Sequence, residues 1–143
     1  NGKVIEEFES SVIRSSICSD ATLESIRECL HDVVWNDTLG TASVNPWGTR
    51  KAQSDLVAIA GKTGTAQILE KGYSNRRHRM SFVGYFPEEN PQYTCICVIH
   101  GPQWPYDAGM DCGSVVRHIA EKTMAYAGEY VIKNGELVMV VKE

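Results

Sequence analysis

The sequence predicts an α+β fold in which helices pack on an antiparallel sheet. Two apolar, β-rich runs, residues 80–86 and 93–100, flank a polar turn, as in an antiparallel hairpin. Two stretches with apolar residues at helical spacing stand before and after this β-rich region. Strands and helices do not alternate as parallel crossover units require, which is why the fold class is α+β.

Length and composition predict one soluble-type domain. The chain has 143 residues, 43% of them hydrophobic and 22% charged, and a net charge of -4. This charge gives no basic field for nucleic acid, and the cluster at 76–79 is interpreted as a solvated loop tip. No apolar run approaches the ~18 residues of a spanning helix. The chain begins at Asn1 without a Met, so we expect a piece of a longer protein.

The five cysteines have no zinc-like spacing. Two of them, Cys95 and Cys97, would share a strand face, and the other three are scattered along the chain. We expect most of them to be buried free thiols that act as small hydrophobes. No metal and no cofactor is predicted.

The first half of the chain is predicted to hold a short strand, a helix, a loop and a longer strand. The strand covers residues 3–8, and the helix starts at Ser19-Asp20 and runs to about Trp35. Its apolar stripe is Leu23, Ile26, Leu30, Val33 and Val34. Residues 38–54 are rich in Gly, Ser, Thr, Asn and Pro and form the loop, and residues 56–68 form the next strand.

The second half is predicted to complete the sheet and to add a helix and a hairpin. Residues 70–79 form a polar loop, and the run at 93–100 is apolar on both faces, as in a strand covered on both sides. A loop at 101–111 holds Trp104 and Tyr106, which either line a cleft or pack within the loop. A helix at 113–127 buries Val115, Val116, Ile119, Ala120, Thr123, Met124 and Ala127. Residues 130–133 and 136–141 flank Asn134-Gly135, a hairpin signal. The domain division is 1–128, with 129–143 as a terminal extension of it.

The stretch at 58–67 combines a lysine, two threonine hydroxyls and two glycines within an apolar run. On a regular strand Lys62 and Gly64 share one face, and Thr63 and Thr65 share the other. A glycine inside a strand often marks the close approach of a ligand or another backbone. The pattern therefore predicts a sheet edge that holds an anion.

Two kinds of site compete for this Gly-Lys-Thr. A phosphate loop needs a further upstream glycine in a turn that opens a helix, but Val57 lies in a strand-like run and Gly64 would interrupt the helix. The alternative is the Lys-Thr-Gly triad of penicillin-recognising serine enzymes. Those enzymes also carry a Ser-x-Asn element, and we interpret the formal match at Ser43-Val44-Asn45 as chance.

The longer pattern resembles the C-terminal part of the transpeptidase domain of a class B penicillin-binding protein. The matching segments occur in order from about residue 17 to residue 127. They are Asp32-Val33-Val34, Gly40-Thr41-Ala42, Lys62-Thr63-Gly64-Thr65-Ala66-Gln67, the run 81–87, the run 93–100 and a Val-Val-rich C-terminal helix.

The resemblance implies an activity and residue roles. Enzymes of this family cross-link peptidoglycan stem peptides through a serine acyl-enzyme and use no cofactor. Lys62 and the hydroxyls of Thr63 and Thr65 would bind the terminal carboxylate of the stem peptide. The Thr65 backbone N–H would contribute to the oxyanion hole, and Gly64 would leave room for the substrate.

The sequence departs from the family in one respect, because no serine is followed by a lysine three positions on. Ser11, Ser74 and Ser114 each reach an arginine instead. The resemblance therefore places the nucleophile upstream of Asn1, and we expect no turnover by this chain alone. Two alternatives stay open: a non-catalytic module that binds D-Ala-D-Ala or β-lactams, and a relative of D,D-carboxypeptidases or β-lactamases.

The resemblance also implies partners and a location. The partners are the D-Ala-D-Ala stem peptide, β-lactams in the parent protein and the remainder of the transpeptidase domain. No nucleic acid is expected, and an exposed sheet face would favour an oligomer. The location is the periplasmic face of the bacterial inner membrane, through an N-terminal anchor.

Overall fold

A computed structural model describes residues 11–68, 77–127, 130–133 and 136–139. The described elements, in chain order, are α1 (Asp20–Trp35), β1 (Ala60–Ile68), β2 (Arg77–Phe86), β3 (Tyr93–His100), a π-helix (Gly109–Gly113), α2 (Ser114–Tyr126), β4 (Tyr130–Lys133) and β5 (Glu136–Met139). The α+β prediction is confirmed. The predicted strand at 3–8 and the turn at 134–135 lie outside the described residues.

Strands β1, β2 and β3 form an antiparallel sheet in that order. The register pairs Lys62 with Val83 and Val83 with Ile96, and it pairs Thr63 with Phe82 and Phe82 with Cys97. Because side chains alternate along a strand, these two rows lie on opposite faces. We call the first the Lys62 face and the second the core face.

The core lies between the core face of the sheet and α2. Phe82 and Met80 are fully buried on β2, and Val116, Ala120 and Met124 are fully buried on α2. The α2 residues are spaced four apart, so they form one stripe along the helix. In the described part of the chain, α2 therefore covers the core face, and α1 packs against β1.

Helix α1 begins and ends where the sequence predicts. The Ser19 hydroxyl accepts a hydrogen bond from the Thr22 N–H at the N-terminus, and Trp35 Nε1 donates to the Ile59 carbonyl oxygen at the other end. The predicted burial of its stripe is only partly correct. Val34 is buried, whereas Leu23 and Ile26 are exposed, because only the C-terminal part of α1 packs on the rest of the described chain.

Two strand boundaries differ from the prediction. Strand β1 starts at Ala60 rather than at residue 56, and β2 starts at Arg77 rather than at residue 80. Part of the predicted polar loop is thus strand, and the Arg79 Nε there donates to His100 Nδ1 across the sheet. Polar composition predicted a loop, but pairing with β1 and β3 extends the strand.

Two predictions of burial are wrong. Ile96 and Val98 of β3 are 64% and 43% exposed, because no described element covers the Lys62 face over β3, although Ala60 of β1 on the same face is fully buried. Val115 and Ile119 of α2 are also exposed, although the stripe at Val116, Ala120 and Met124 is confirmed. An apolar composition indicates that a face is suited to burial, but it does not show whether another element of the chain packs against that face.

The second helix also starts earlier than predicted. The chain enters a π-helix at Gly109, within the predicted loop, and continues as α2 from Ser114. Asp107 stabilises this entry, because its carboxylate accepts hydrogen bonds from the N–H groups of Gly109 and Met110 at 2.8 and 3.1 Å. A short π-helical segment of this kind often occurs at a functional site.

All five cysteines are free thiols, and only Cys112 is fully buried. The expectation that most are buried is therefore wrong, since Cys29 is exposed and the other three are half-buried. Burial, followed by the neighbouring Cys97 thiol, raises the pKa of Cys112 to about 11. Within the described ranges no helix is long and apolar enough to cross a membrane.

Candidate functional site: the free edge of strand β1

Strand β1 is an edge strand of the described sheet, and Lys62 reaches round this edge. Its Nζ donates to the backbone oxygen of Thr63 at 3.0 Å and lies 3.4 Å from the Thr63 hydroxyl. The Thr63 carbonyl therefore points to the edge away from β2. Because backbone polar groups alternate between the two edges of a strand, Thr65 presents its N–H to this same free edge.

An open cavity of about 300 Å³ adjoins β1 on the side of Thr63 and Thr65. The Thr41 hydroxyl lies 2.8 Å from the Thr63 hydroxyl at this cavity. Its lining residues are Thr41, Lys51, Thr63, Thr65, Tyr106, Asp107, Ala108 and Gly109. The loop before β1 and the loop before the π-helix thus form the wall that faces the two threonines of the strand.

An ion pair between a buried lysine and a half-exposed aspartate lies at the cavity. Lys51 Nζ lies 2.7 Å from Asp107 Oδ2 and donates to the Thr41 carbonyl oxygen at 3.2 Å. The Lys51 side chain is only 11% exposed. Because Asp107 pairs with this ammonium, Lys62 is the cation that remains for an anionic ligand at this edge among the residues that the structure describes.

The surroundings of Asp107 lower its pKa. Burial alone raises the pKa of this carboxyl, but the Lys51 ammonium and the backbone N–H groups of Met110 and Gly109 together outweigh it. The charged form of Asp107 is therefore stabilised by these contacts at the cavity.

This pKa shift predicts a loss of stability in acid. A carboxyl whose pKa is lowered on folding stabilises the fold above its unfolded pKa of about 4, and this contribution disappears as the pH falls through the lower folded pKa. We therefore expect Asp107→Asn to lower the melting temperature at pH 7 and to flatten its decline below pH 4. Thermal melts from pH 7 to pH 2, with Glu89→Gln as the exposed control, measure this. An unchanged pH profile would contradict it.

Tyr106 forms part of the cavity wall and is held by a histidine of β2. The Tyr106 hydroxyl lies 2.6 Å from His78 Nδ1, and the two rings are 4.9 Å apart. Trp104 stands edge-on to Tyr106 but is 82% exposed. Tyr106 therefore lines the cleft, as the first of the two interpretations of this loop predicts, and Trp104 contacts Tyr106 within the loop while it remains largely exposed.

Gly64 lies on the Lys62 face opposite Ser81 of β2. A Cβ at this position would lie 2.6 Å from the Ser81 hydroxyl, which is the end of a side chain that can rotate away. The packing of β1 on β2 therefore does not by itself require a glycine here. The substrate clearance predicted for Gly64 stays a prediction.

The serine and the asparagine of the formal Ser-x-Asn match at 43–45 make hydrogen bonds to nearby residues of the chain. Ser43 is fully buried and donates to Asp37 Oδ1 at 2.6 Å. The Asn45 Oδ1 accepts from the N–H groups of Trp47 and Thr49. These contacts support a structural role for both residues.

The extended conformation of β1 agrees with the exclusion of a phosphate loop, since that loop would have to open a helix at Lys62.

Sequence reasoning identified the strand but missed most of the wall opposite it. The lining residues that it did not identify as site residues are Thr41, Lys51, Asp107, Ala108 and Gly109. Thr41 carried a signal, because it lies in the Gly40-Thr41-Ala42 turn of the family pattern. Lys51 and Asp107 had no signal in the sequence, because residues 56 positions apart form an ion pair only in the folded chain. No group of three metal-ligating side chains occurs among the residues that the structure describes.

The family profile of the penicillin binding protein transpeptidase domain matches residues 2–125. The chain belongs to this family. It is 35% identical over 117 residues to the peptidoglycan D,D-transpeptidase FtsI homolog of Mesostigma viride, and this match covers 80% of the chain and 18% of the relative. The corresponding homolog of Chlorokybus atmophyticus is 33% identical, with 73% of the chain and 14% of the relative covered. The chain thus spans less than a fifth of the length of these relatives.

Solved structures agree on the fold. The transpeptidase domain of the FtsI4 D,D-transpeptidase from Legionella pneumophila aligns with a TM-score of 0.55 at 27% identity, over 74% of this chain and 36% of the other. Penicillin-binding protein 2B from Streptococcus pneumoniae aligns with a TM-score of 0.54 over 87% of this chain and 19% of the other. At 22% identity the second comparison supports the fold alone. The family resemblance read from the sequence is confirmed.

Proposed function

We propose that this chain supplies the carboxylate-binding wall of a peptidoglycan D,D-transpeptidase site and does not turn over substrate by itself. The observation that carries the proposal is the convergence of Lys62 Nζ, the Thr63 hydroxyl and the Thr65 N–H at one free strand edge. The serine nucleophile and its lysine would come from sequence beyond these 143 residues. Membership of the transpeptidase family supports a site in which this chain supplies the carboxylate-binding residues and another part of the domain supplies the serine.

The proposed substrate is the C-terminal D-Ala-D-Ala of a stem peptide. An ammonium and a hydroxyl donor suit a carboxylate, because hydrogen bonds to a charged acceptor are about twice as strong as neutral ones. An extended peptide can also add to the free edge of β1 as a further strand, which uses the backbone groups of Thr63 and Thr65. The Thr65 N–H would then face the carbonyl that the serine attacks, as an oxyanion-hole donor does.

Titration with N-acetyl-D-Ala-D-Ala tests the binding role. We expect saturable shifts at millimolar peptide in the backbone amide NMR signals of residues 62–66. Two matched ligands define the recognition: the C-terminally amidated dipeptide lacks the carboxylate, and the L,L-dipeptide has the opposite stereochemistry. No saturable shift with the free acid, or equal shifts with the amide, would contradict a carboxylate site.

Replacement of Lys62 by methionine is expected to weaken this binding by about tenfold or more. The change removes the cation and keeps most of the side-chain volume, and a hydrogen bond to a charged group contributes about 1.5–3 kcal/mol. The dissociation constant for N-acetyl-D-Ala-D-Ala measures the effect. Lys122→Met, on the exposed side of α2, is the matched control. Equal affinity of the two variants would exclude Lys62 as a carboxylate ligand.

Labelling with a fluorescent penicillin tests the claim that the chain alone is inactive. We expect no covalent adduct, since no serine of this sequence has a lysine three positions on to activate it. A stable adduct on any serine, identified by mass spectrometry, would show that this chain carries its own nucleophile. It would also favour the D,D-carboxypeptidase or β-lactamase alternative. Peptide binding without acylation also fits the alternative of a non-catalytic D-Ala-D-Ala-binding module.

The Lys62 face is proposed to be covered by the remainder of the transpeptidase domain. Val83, Ile96 and Val98 give it an exposed apolar surface, which is typical of an interaction site. In the isolated chain this face would favour an oligomer, which sedimentation at several concentrations detects.

For the parent protein we propose β-lactam binding and peptidoglycan synthesis in cell division or cell-shape maintenance, at the periplasmic face of the inner membrane. An N-terminal anchor would hold it there.

A further inference from the structure

The Thr63 hydroxyl can donate only one hydrogen bond, so the direction of that bond determines whether Thr63 binds an anion. A hydroxyl has one proton and two lone pairs. Two neighbours compete for it: Lys62 Nζ at 3.4 Å and Thr41 Oγ1 at 2.8 Å. The ammonium of Lys62 can only donate. If Thr41 accepted the Thr63 proton, no proton would remain for a ligand.

The opposite direction makes Thr63 a donor to the cavity. When the Thr41 hydroxyl donates to Thr63 Oγ1, the Thr63 proton is free to point at an anion beside Lys62. An anion at this edge favours this arrangement, because a hydrogen bond to a charged acceptor is stronger than one between two neutral hydroxyls. The two hydroxyls then form a chain in which each bond polarises the next.

The backbone of Thr41 is held from several sides. Its carbonyl oxygen accepts from Lys51 Nζ at 3.2 Å, and Lys51 is in turn fixed by Asp107 at 2.7 Å. The next residue, Ala42, donates its N–H to the Val33 carbonyl at 2.9 Å. Because Asp107 neutralises Lys51, this pair holds Thr41 in place without adding a net charge that competes with Lys62 for the ligand.

We propose that Thr41 is a positioning residue, whose hydroxyl donates to Thr63 Oγ1 and so aims the Thr63 proton at the bound carboxylate, with the Lys51–Asp107 ion pair holding Thr41 in place. The carboxylate ligand itself rests on the proposed function. The contact between the Thr41 and Thr63 hydroxyls does not, because it is present in the ligand-free chain, whereas the bound anion sets the direction of donation.

Two substitutions at Thr41 test this proposal on the complete 143-residue chain. Thr41→Val keeps the shape of the side chain and removes the hydroxyl, whereas Thr41→Ser restores the hydroxyl. Thr38→Val, at an exposed threonine of the same loop, is the control. We expect Thr41→Val to weaken N-acetyl-D-Ala-D-Ala binding by about five- to tenfold, the usual effect of one hydrogen bond, and Thr41→Ser and Thr38→Val to bind as the wild type does.

A ligand-free measurement separates this proposal from the proposed function. Three-bond NMR couplings to the Thr63 methyl carbon report its side-chain rotamer. We expect one rotamer in the wild type and in Thr41→Ser, and averaged couplings in Thr41→Val. Unchanged couplings in Thr41→Val would overturn the proposal, whether or not the peptide binds. A wild-type chain that binds no dipeptide but shows the expected couplings would overturn the carboxylate site and support the positioning role.

Discussion

Phe82→Ala is expected to lower the free energy of unfolding by about 3–5 kcal/mol, the usual cost of truncating a fully buried phenylalanine. The position has a further reason to be sensitive. Built at Gly61 and Gly84, a Cβ would lie 2.7 and 2.8 Å from the ring of Phe82. The ring therefore covers two glycines of paired strands, and its loss exposes backbone as well as the apolar core. Urea denaturation followed by circular dichroism measures the change.

The neighbouring residue provides the control for this prediction. Val83 lies on the Lys62 face and is 41% exposed, so Val83→Ala is expected to cost about 1 kcal/mol or less. A similar loss for both variants would mean that the Lys62 face is also covered in solution, by a second copy of the chain. Sedimentation of the wild type would then show the oligomer.

The termini of α1 and the pairing of β2 with β3 could be predicted because their causes are local. Ser19 caps α1 through a residue three positions away, and the strands are joined by a turn of six residues, 87–92. Burial was harder to predict, since it depends on what packs against a face. Ile96 is apolar and exposed for this reason, whereas Lys51 is charged and largely buried because Asp107 and the Thr41 carbonyl neutralise and satisfy it.

The site shows the same division between local and distant causes. The faces of Lys62 and Thr63 follow from strand alternation and could be read from the sequence. The path of Lys62 Nζ round the edge of the sheet could not, because it depends on β1 being an edge strand. The opposite wall comes from two loops that are separated in the sequence by all three strands of the sheet. Only the folded chain brings Thr41 and Asp107 to one cavity.

Gly109→Ala is expected to lower the free energy of unfolding by about 2–3 kcal/mol and to weaken dipeptide binding as well. A Cβ at Gly109 would overlap the Thr41 carbonyl oxygen and lie 3.0 Å from the Ala42 Cα. Both are backbone atoms that cannot rotate away, and overpacking of this kind costs about 1–3 kcal/mol or more. The gain of about 1 kcal/mol from replacing a helical glycine by alanine is too small to offset it. The shift would also move Thr41 away from Thr63.

Gly113→Ala is the matched control, because it lies in the same π-helix. Its Cβ would lie 3.2 Å from the Ala52 Cβ, a contact that a shift of a few tenths of an ångström relieves. We expect this variant to unfold within about 1 kcal/mol of the wild type, since the helical gain and the mild contact nearly cancel. If Gly109→Ala were as stable as Gly113→Ala, the loop that carries Thr41 would have to move freely relative to the π-helix. In that case the Lys51–Asp107 pair could not hold Thr41 in place.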